Sequence, residues 1–91
     1  MPRVTVTWTP AAGESPVGHR IHAGPVSGLY TEVSPDFAMP LTAGYIDVST
    51  AGTWYVAVAP YDASGYEGLY SAEQTVSAGN APTGTLVLAL V

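Results

Sequence analysis

Cysteine and lysine are both absent from this 91-residue chain, and two arginines stand against seven acidic residues, which gives a formal charge of −5 at pH 7. Without cysteine the chain can form neither a disulfide framework nor a thiolate metal site. The negative charge repels a phosphate backbone, so we expect no nucleic-acid partner. The longest apolar stretch, Leu86 to Val91, is far too short to span a bilayer, and the N-terminus has no signal-peptide pattern. We therefore expect no membrane partner.

A helical repeat is also missing, because no stretch places its apolar residues at the 3.6-residue period. Hydrophobic residues make up 47% of the chain and charged residues 10%, a composition that favours one modest globular core over disorder. Short apolar runs recur at intervals of about 8–12 residues between glycines and prolines, a spacing typical of an all-β sandwich or barrel. We predict an all-β fold.

Two strands stand out by their alternation. Val4 to Thr9 places apolar side chains on one face and threonines on the other, and Thr53 to Tyr61 alternates in the same way. The predicted strands are Val4 to Thr9, His19 to His22, Leu29 to Val33, Tyr45 to Val48, Thr53 to Tyr61, Tyr70 to Ser77 and Thr85 to Val91, with Ser34 to Thr42 irregular or a weak edge. The predicted core residues are Val4, Val6, Trp8, Ile21, Val48, Trp54, Val56 and Val58.

Four segments between Arg3 and Ser77 resemble motifs of the fibronectin type III domain. Val4-Thr5-Val6-Thr7-Trp8 is similar to the family's second strand with its core tryptophan, and Gly18-His19-Arg20-Ile21-His22 to the Gly-Tyr-Arg-Val-Tyr segment of its third. Val48 through Gly52-Thr53 to Trp54 resembles the Leu-x-Pro-Gly-Thr-x-Tyr corner, and Val58 to Glu67 resembles Val-x-Ala-Tyr-Asp-x-x-Gly-x-Glu. The resemblance implies an immunoglobulin-like β-sandwich over residues 3–77, followed by a linker at 78–84 and an apolar C-terminal strand at 85–91.

Three positions depart from the family pattern. Trp54 stands where the family has its corner tyrosine, so the indole needs a hydrogen-bond acceptor of its own. His19 replaces a core-facing tyrosine. Pro60 lies near the end of an otherwise central strand and removes a ladder donor, which predicts a bulge or an unpaired strand end.

The two ends of the chain depart further. The family's usual first strand is missing, so the Trp8 strand is predicted to be an open edge. The C-terminal strand is extra and apolar on both faces, and its predicted assembly residues are Leu86, Val87, Leu88, Leu90 and Val91. It could be donated to a neighbouring subunit. It could also fold back parallel to the Trp8 strand or in a hairpin with the last strand, or stay mobile.

The sequence offers little catalytic or metal-binding chemistry. His19 and His22 point to opposite faces of one strand, His19 inward and His22 toward solvent, so they do not share a metal. Asp62 and Glu67 bring too few oxygens for calcium, and Asp62 is better read as a turn residue that accepts nearby backbone N–H groups. No serine lies in a nucleophile elbow with a base beside it. We expect no enzyme activity, metal site or cofactor.

The tyrosines are the candidate surface-binding residues. Tyr55 and Tyr61 share the outward face of their strand, and Tyr66 lies at a loop tip. Exposed aromatic rings can stack on a glycan or anchor a protein interface. Ordinary cross-strand packing is the alternative.

These features lead to two functional expectations. A sandwich that begins with Met1, has no signal peptide and ends in an apolar strand resembles the accessory structural proteins of tailed bacteriophages, which decorate a capsid or sit in the tail. We expect such a virion protein to bind itself, capsid or tail proteins, or a surface glycan. The alternative is a fibronectin type III binding or spacer module of a bacterial extracellular enzyme or adhesin, at the cell surface.

Overall fold

A computed structural model describes residues 2–10, 16–79 and 86–89, with the side chains of residues 86 and 89 outside the description. This part of the chain contains strands and no helix. The strands are β1 (Arg3–Thr9), β2 (Gly18–Gly24), β3 (Glu32–Val33), β4 (Phe37–Ala38), β5 (Ala43–Asp47), β6 (Gly52–Tyr61), β7 (Gln74–Ala78) and β8 (Leu86–Ala89).

The strands form two sheets packed face to face as a β-sandwich. One sheet has the order β5-β1-β8, and the other has the order β3-β2-β6-β7 with β4 also paired to β2. The longest pairing joins β2 to β6, antiparallel, over seven residue pairs from Gly18↔Tyr61 to Gly24↔Tyr55. The predicted all-β sandwich is confirmed.

The core lies between the sheets and follows the alternation of the strands. On β1, Val4 and Val6 are fully buried and Trp8 is 3% exposed, while the residues between them face outward. The structure buries all eight predicted core residues. Four further members are Ala23, Ile46, Ala78 and Leu88.

Trp54 takes the acceptor that its position requires. Its Nε1 donates a 2.9 Å hydrogen bond to the backbone carbonyl of Thr50, four residues upstream. The indole is 4% exposed, so this bond satisfies a donor that would otherwise be buried without a partner.

Pro60 sits in β6 without interrupting the ladder to β2. It pairs with His19, and the pairing continues to Tyr61. Its carbonyl accepts from Gly68 N on the opposite side, at 2.9 Å, so its ring nitrogen also faces away from β2. On the side away from β2, the pairing of β6 with β7 ends at Val56, so Pro60 lies next to a segment without regular strand pairing. The predicted unpaired strand end is therefore present on one side only.

The Trp8 strand is not an open edge. β8 runs parallel to β1, with register pairs from Val6↔Leu86 to Thr9↔Ala89. Of the arrangements that the sequence allows, this is the one in which the tail folds back on its own domain. Leu88 is 1% exposed and joins the core, whereas Val87 is 63% exposed on the outer face. Residues 85, 90 and 91 of the predicted strand lie outside the described residues.

Two predicted strands are shorter than expected. Val26 and Leu29 form a turn with Gly28 at φ +79°, and regular pairing begins only at Glu32. Residues 70–73 are irregular too, and β7 begins at Gln74. The weak edge expected within 34–42 is the two-residue β4. Ala78, assigned to the linker, ends β7 in the core, while residues 80–84 lie outside the described part.

Candidate functional site

The outer face of the larger sheet carries a polar and aromatic cluster, in contrast to the threonines of β1. Its residues come from β2, from the end of β6, from the link between β3 and β4, and from two connections, 25–31 and 62–73, that fold across the sheet. The members are Arg20, His22, Tyr30, Asp36, Tyr61, Glu67, Tyr70 and Glu73. Both connections leave regular strand pairing here because their polar groups bond to this face.

Glu67 is the centre of one half of the cluster. Its carboxylate lies 2.7 Å from His22 Nε2, accepts from Tyr70 Oη at 3.1 Å, and approaches Arg20 Nη1 at 3.4 Å. Arg20 also donates to Asp36 at 2.6 Å, and its guanidinium lies 4.3 Å above the ring of Tyr61. These contacts fix the 62–73 connection to β2.

Glu73 is the centre of the other half of the cluster. It accepts hydrogen bonds from Ser27 Oγ at 2.6 Å, Gly28 N at 2.9 Å and Tyr30 Oη at 2.8 Å. Above it, the Tyr70 ring stacks on both neighbours, with centroids 4.9 Å from His22 and 5.4 Å from Tyr30. The two glutamates and the stacked rings thus form one continuous surface of hydrogen-bonded and packed side chains.

The pKa values of Glu67, Tyr30 and Tyr70 move away from neutrality. Burial would raise the pKa of Glu67, but the hydrogen bonds from His22, Tyr70 and Arg20 lower it below the ordinary value. Burial and the bond to Glu73 raise the pKa of Tyr30 to about 12. Burial and Glu67 likewise raise the pKa of Tyr70. At neutral pH Glu67 is therefore ionised, and Tyr30 and Tyr70 keep their protons. Groups that hold one protonation state suit binding better than proton transfer.

A groove of about 230 Å³ opens beside this cluster, where β6 ends. It is lined by Pro16, Pro60, Tyr61, Asp62, Tyr66, Glu67 and Gly68. Its rim is a tight turn in which Gly65 N bonds to the Asp62 carbonyl at 2.9 Å. As predicted for a turn residue, Asp62 also accepts backbone N–H groups, from Ser64 at 2.9 Å and Tyr66 at 3.1 Å, both on Oδ1.

The three predicted surface tyrosines have different surroundings. Tyr66 is 76% exposed at the loop tip and lines the groove. Tyr61 also lines it but is half-buried, with Arg20 above it and its hydroxyl close to where a Cβ on Gly18 would lie. Tyr55 is half-buried opposite Gly24 and does not line the groove. The structure thus brings two of the three together.

The two histidines point to opposite faces, as predicted, but His22 is not solvent-facing. Its side chain is only 13% exposed, because Tyr70 covers the ring and Glu67 bonds to its edge. His19 is fully buried, and neither of its ring nitrogens has a hydrogen-bond partner among the described residues.

Sequence reasoning did not place Arg20 and Glu67 together or give Glu73 any role. Arg20 and Glu67 both lie inside the segments that resemble family motifs, and the outward alternation of Arg20 and His22 on β2 was a usable signal. Glu73 carries no such signal, since its three donors come from a loop 43 to 46 residues away.

The described part of the chain has neither a cluster of metal-binding side chains nor a membrane-spanning helix. No group of three or more histidine, aspartate or glutamate side chains there is placed to hold a metal ion. No helix in residues 2–10, 16–79 or 86–89 is long and apolar enough to cross a membrane.

The fold places this chain among the β-sandwich proteins. Comparison with known proteins does not assign it to any family within that class. No family model, no curated protein and no solved structure matches this chain. The resemblance to fibronectin type III domains therefore depends on the sequence motifs alone.

Proposed function

We propose that this chain is a non-catalytic interaction module of the fibronectin type III kind, working as an accessory structural protein of a bacteriophage particle. In this proposal β8 is the assembly element. The observation that supports it is the position of β8, which lies beside β1 in a parallel ladder and contributes Leu88 to the core.

A strand held in this way can be exchanged between copies at little cost. The same ladder to β1 and the same burial of Leu88 form whether β8 comes from its own chain or from a neighbour. Val87, on the other face of β8, is 63% exposed and offers apolar surface for a contact with a second subunit or a particle protein.

The outer cluster supports the non-catalytic part of the proposal. Glu67 and Glu73 are occupied by bonds within the domain, and the pKa values of Glu67, Tyr30 and Tyr70 shift away from neutrality. A general acid or base near neutral pH needs the opposite shift.

The cysteine-free sequence allows a direct test of exchange. Thr7 and Val87 are register partners on the outer face, so single-cysteine chains with Thr7→Cys and Val87→Cys can be mixed, unfolded, refolded together and oxidised. We expect a disulfide-linked heterodimer of the two chains across a concentration series. The control is Thr7→Cys mixed with Thr53→Cys, which lies in the other sheet and should not crosslink.

The double variant Thr7→Cys/Val87→Cys shows which arrangement dominates. If the double variant forms dimers on a non-reducing gel, assembly through β8 is supported. If it runs as an internally crosslinked monomer, and the mixed single variants give no heterodimer, exchange between copies is rejected. The second outcome favours the alternative function, a binding or spacer module of an extracellular enzyme or adhesin, which needs no self-association.

A further inference from the structure

The two arginines of this chain share one binding arrangement. Arg3 lies 4.0 Å above the ring of Tyr45 and donates to Asp47 at 2.8 Å. Arg20 lies above the ring of Tyr61 and donates to Asp36. Each guanidinium is thus held by a tyrosine face and a carboxylate, a pairing that suits its flat, delocalised charge.

The groove at the end of β6 also brings together a tyrosine and a carboxylate, Tyr66 and Asp62, and neither of these two side chains contacts a guanidinium among the described residues. Tyr66 is 76% exposed, and no ring or cation contacts it among the described residues. Asp62 uses Oδ1 for two backbone N–H groups, and within the described residues no hydrogen bond or ion pair reaches Oδ2. Arg20 lies at the edge of the groove, where it donates to the Gly65 carbonyl at 3.2 Å, but it makes no bond to Asp62. The groove therefore offers a free carboxylate oxygen and an open aromatic face.

The loop that carries this pair is already ordered. The turn at 62–65 is closed by backbone bonds, Gly68 N bonds to Pro60, and Glu67 is fixed by β2. A ligand would not have to organise the site, which lowers the entropic cost of binding. The volume of about 230 Å³ is below that of typical small-molecule pockets and fits one side chain.

We propose that this groove binds an arginine side chain of a partner protein. The alkyl stem packs on Pro60 and Pro16, the guanidinium stacks on Tyr66, and its N–H groups bond to Asp62. A second copy of the chain is a poor source, because its only two cationic side chains are already paired within the domain. An anionic ligand is repelled by Asp62, and a neutral sugar would leave that charge unpaired.

The inference does not depend on assembly through β8, since none of the described lining residues belongs to β8. A single side chain held by a surface ion pair and a stacked ring binds weakly, with a Kd on the order of millimolar. Useful affinity then comes from a larger interface around the arginine or from many copies on one assembly.

The test is an NMR titration of the full chain with three blocked tripeptides, Gly-Arg-Gly, Gly-Lys-Gly and Gly-Gln-Gly. We expect the amides of Asp62, Ser64, Tyr66 and Gly68 to shift with the arginine peptide, less with lysine and not with glutamine, and the shifts to shrink at high salt. Equal binding of all three peptides, or no shift at tens of millimolar, would overturn the proposal.

Two variants separate the groove from general charge. Asp62→Asn keeps an oxygen for the turn but removes the charge, and Tyr66→Ala removes an exposed ring, so both should fold and weaken binding at least about threefold. Asp47→Asn changes the net charge equally on the other sheet and should leave binding unchanged. If N-acetylglucosamine shifts the same amides while the arginine peptide does not, the site is a sugar site and the proposal fails.

Discussion

The indole of Trp8 and the imidazole of His19 pack together in the core, with ring centroids 5.5 Å apart and planes tilted by 45°. Trp8 Nε1 and both His19 nitrogens lack hydrogen-bond partners among the described residues. Burial lowers the pKa of His19, because the apolar surroundings disfavour the imidazolium. The neutral ring is thus part of the folded state.

This pair should make the fold sensitive to mild acid. Because the folded pKa of His19 is depressed, its contribution to stability is complete above the unfolded value of about 6.5 and is lost as the pH falls from there toward the folded value. We expect urea unfolding to show a free energy of unfolding that falls between pH 7.5 and pH 5.5. The variant His19→Phe should lose most of this dependence, and an unchanged slope would assign it to other groups.

The two tryptophans should be the costliest side chains to truncate. Trp8→Ala and Trp54→Ala each remove a large buried ring and should each cost about 3–5 kcal/mol, a large part of the about 5–10 kcal/mol expected for the domain. Thermal melts measure the loss. Tyr66→Ala is the exposed aromatic control and should stay within about 0.5 kcal/mol; similar midpoints for all three variants would contradict the assigned inward face.

Neighbouring residues of β8 should respond in opposite ways. Leu88→Ala opens a cavity in the core and should cost about 2–5 kcal/mol, whereas Val87→Ala removes an exposed side chain and should change stability by less than about 0.5 kcal/mol. Urea unfolding of the two variants compares them directly. Equal small effects would show that β8 is not inserted beside β1.

Glu67 should stabilise the domain as a charged acceptor. Glu67→Gln cannot serve His22, Arg20 and Tyr70 together and should cost about 1–3 kcal/mol. Since the folded pKa of Glu67 is depressed, its contribution is present above the unfolded value of about 4.5 and is lost as the pH falls through the folded value. Between pH 5 and pH 3 the free energy of unfolding should therefore fall more steeply with pH for the wild type than for Glu67→Gln. Glu32→Gln is the control, because among the described residues the Glu32 carboxylate accepts hydrogen bonds from Ser49 alone.

The parts of the fold that follow from local patterns were predictable. The alternation in β1 and β6 predicted which residues face the core. Asp62 predicted the turn whose backbone N–H groups its side chain accepts. The position of Trp54 signalled that its indole needed an acceptor. Each of these depends on residues within about ten positions along the chain.

The parts set by distant contacts were not. Leu29 to Val33 has strand composition, yet a turn at Val26–Leu29 and the bonds of Glu73 to Ser27, Gly28 and Tyr30 hold that connection elsewhere. For β8, residue types allowed several partners, and only the three-dimensional packing selects β1. The outer cluster depends on Glu73 reaching a loop more than forty residues away, which no local spacing reveals.

The parallel pairing of β1 and β8 has a mechanical consequence. Because the two strands run in the same direction, a tension that draws β1 toward its first residue and β8 toward its last slides them along each other. Such a pull loads the hydrogen bonds of the ladder together, instead of peeling them apart one at a time. The pairing that completes the smaller sheet is thus a clamp against stretching.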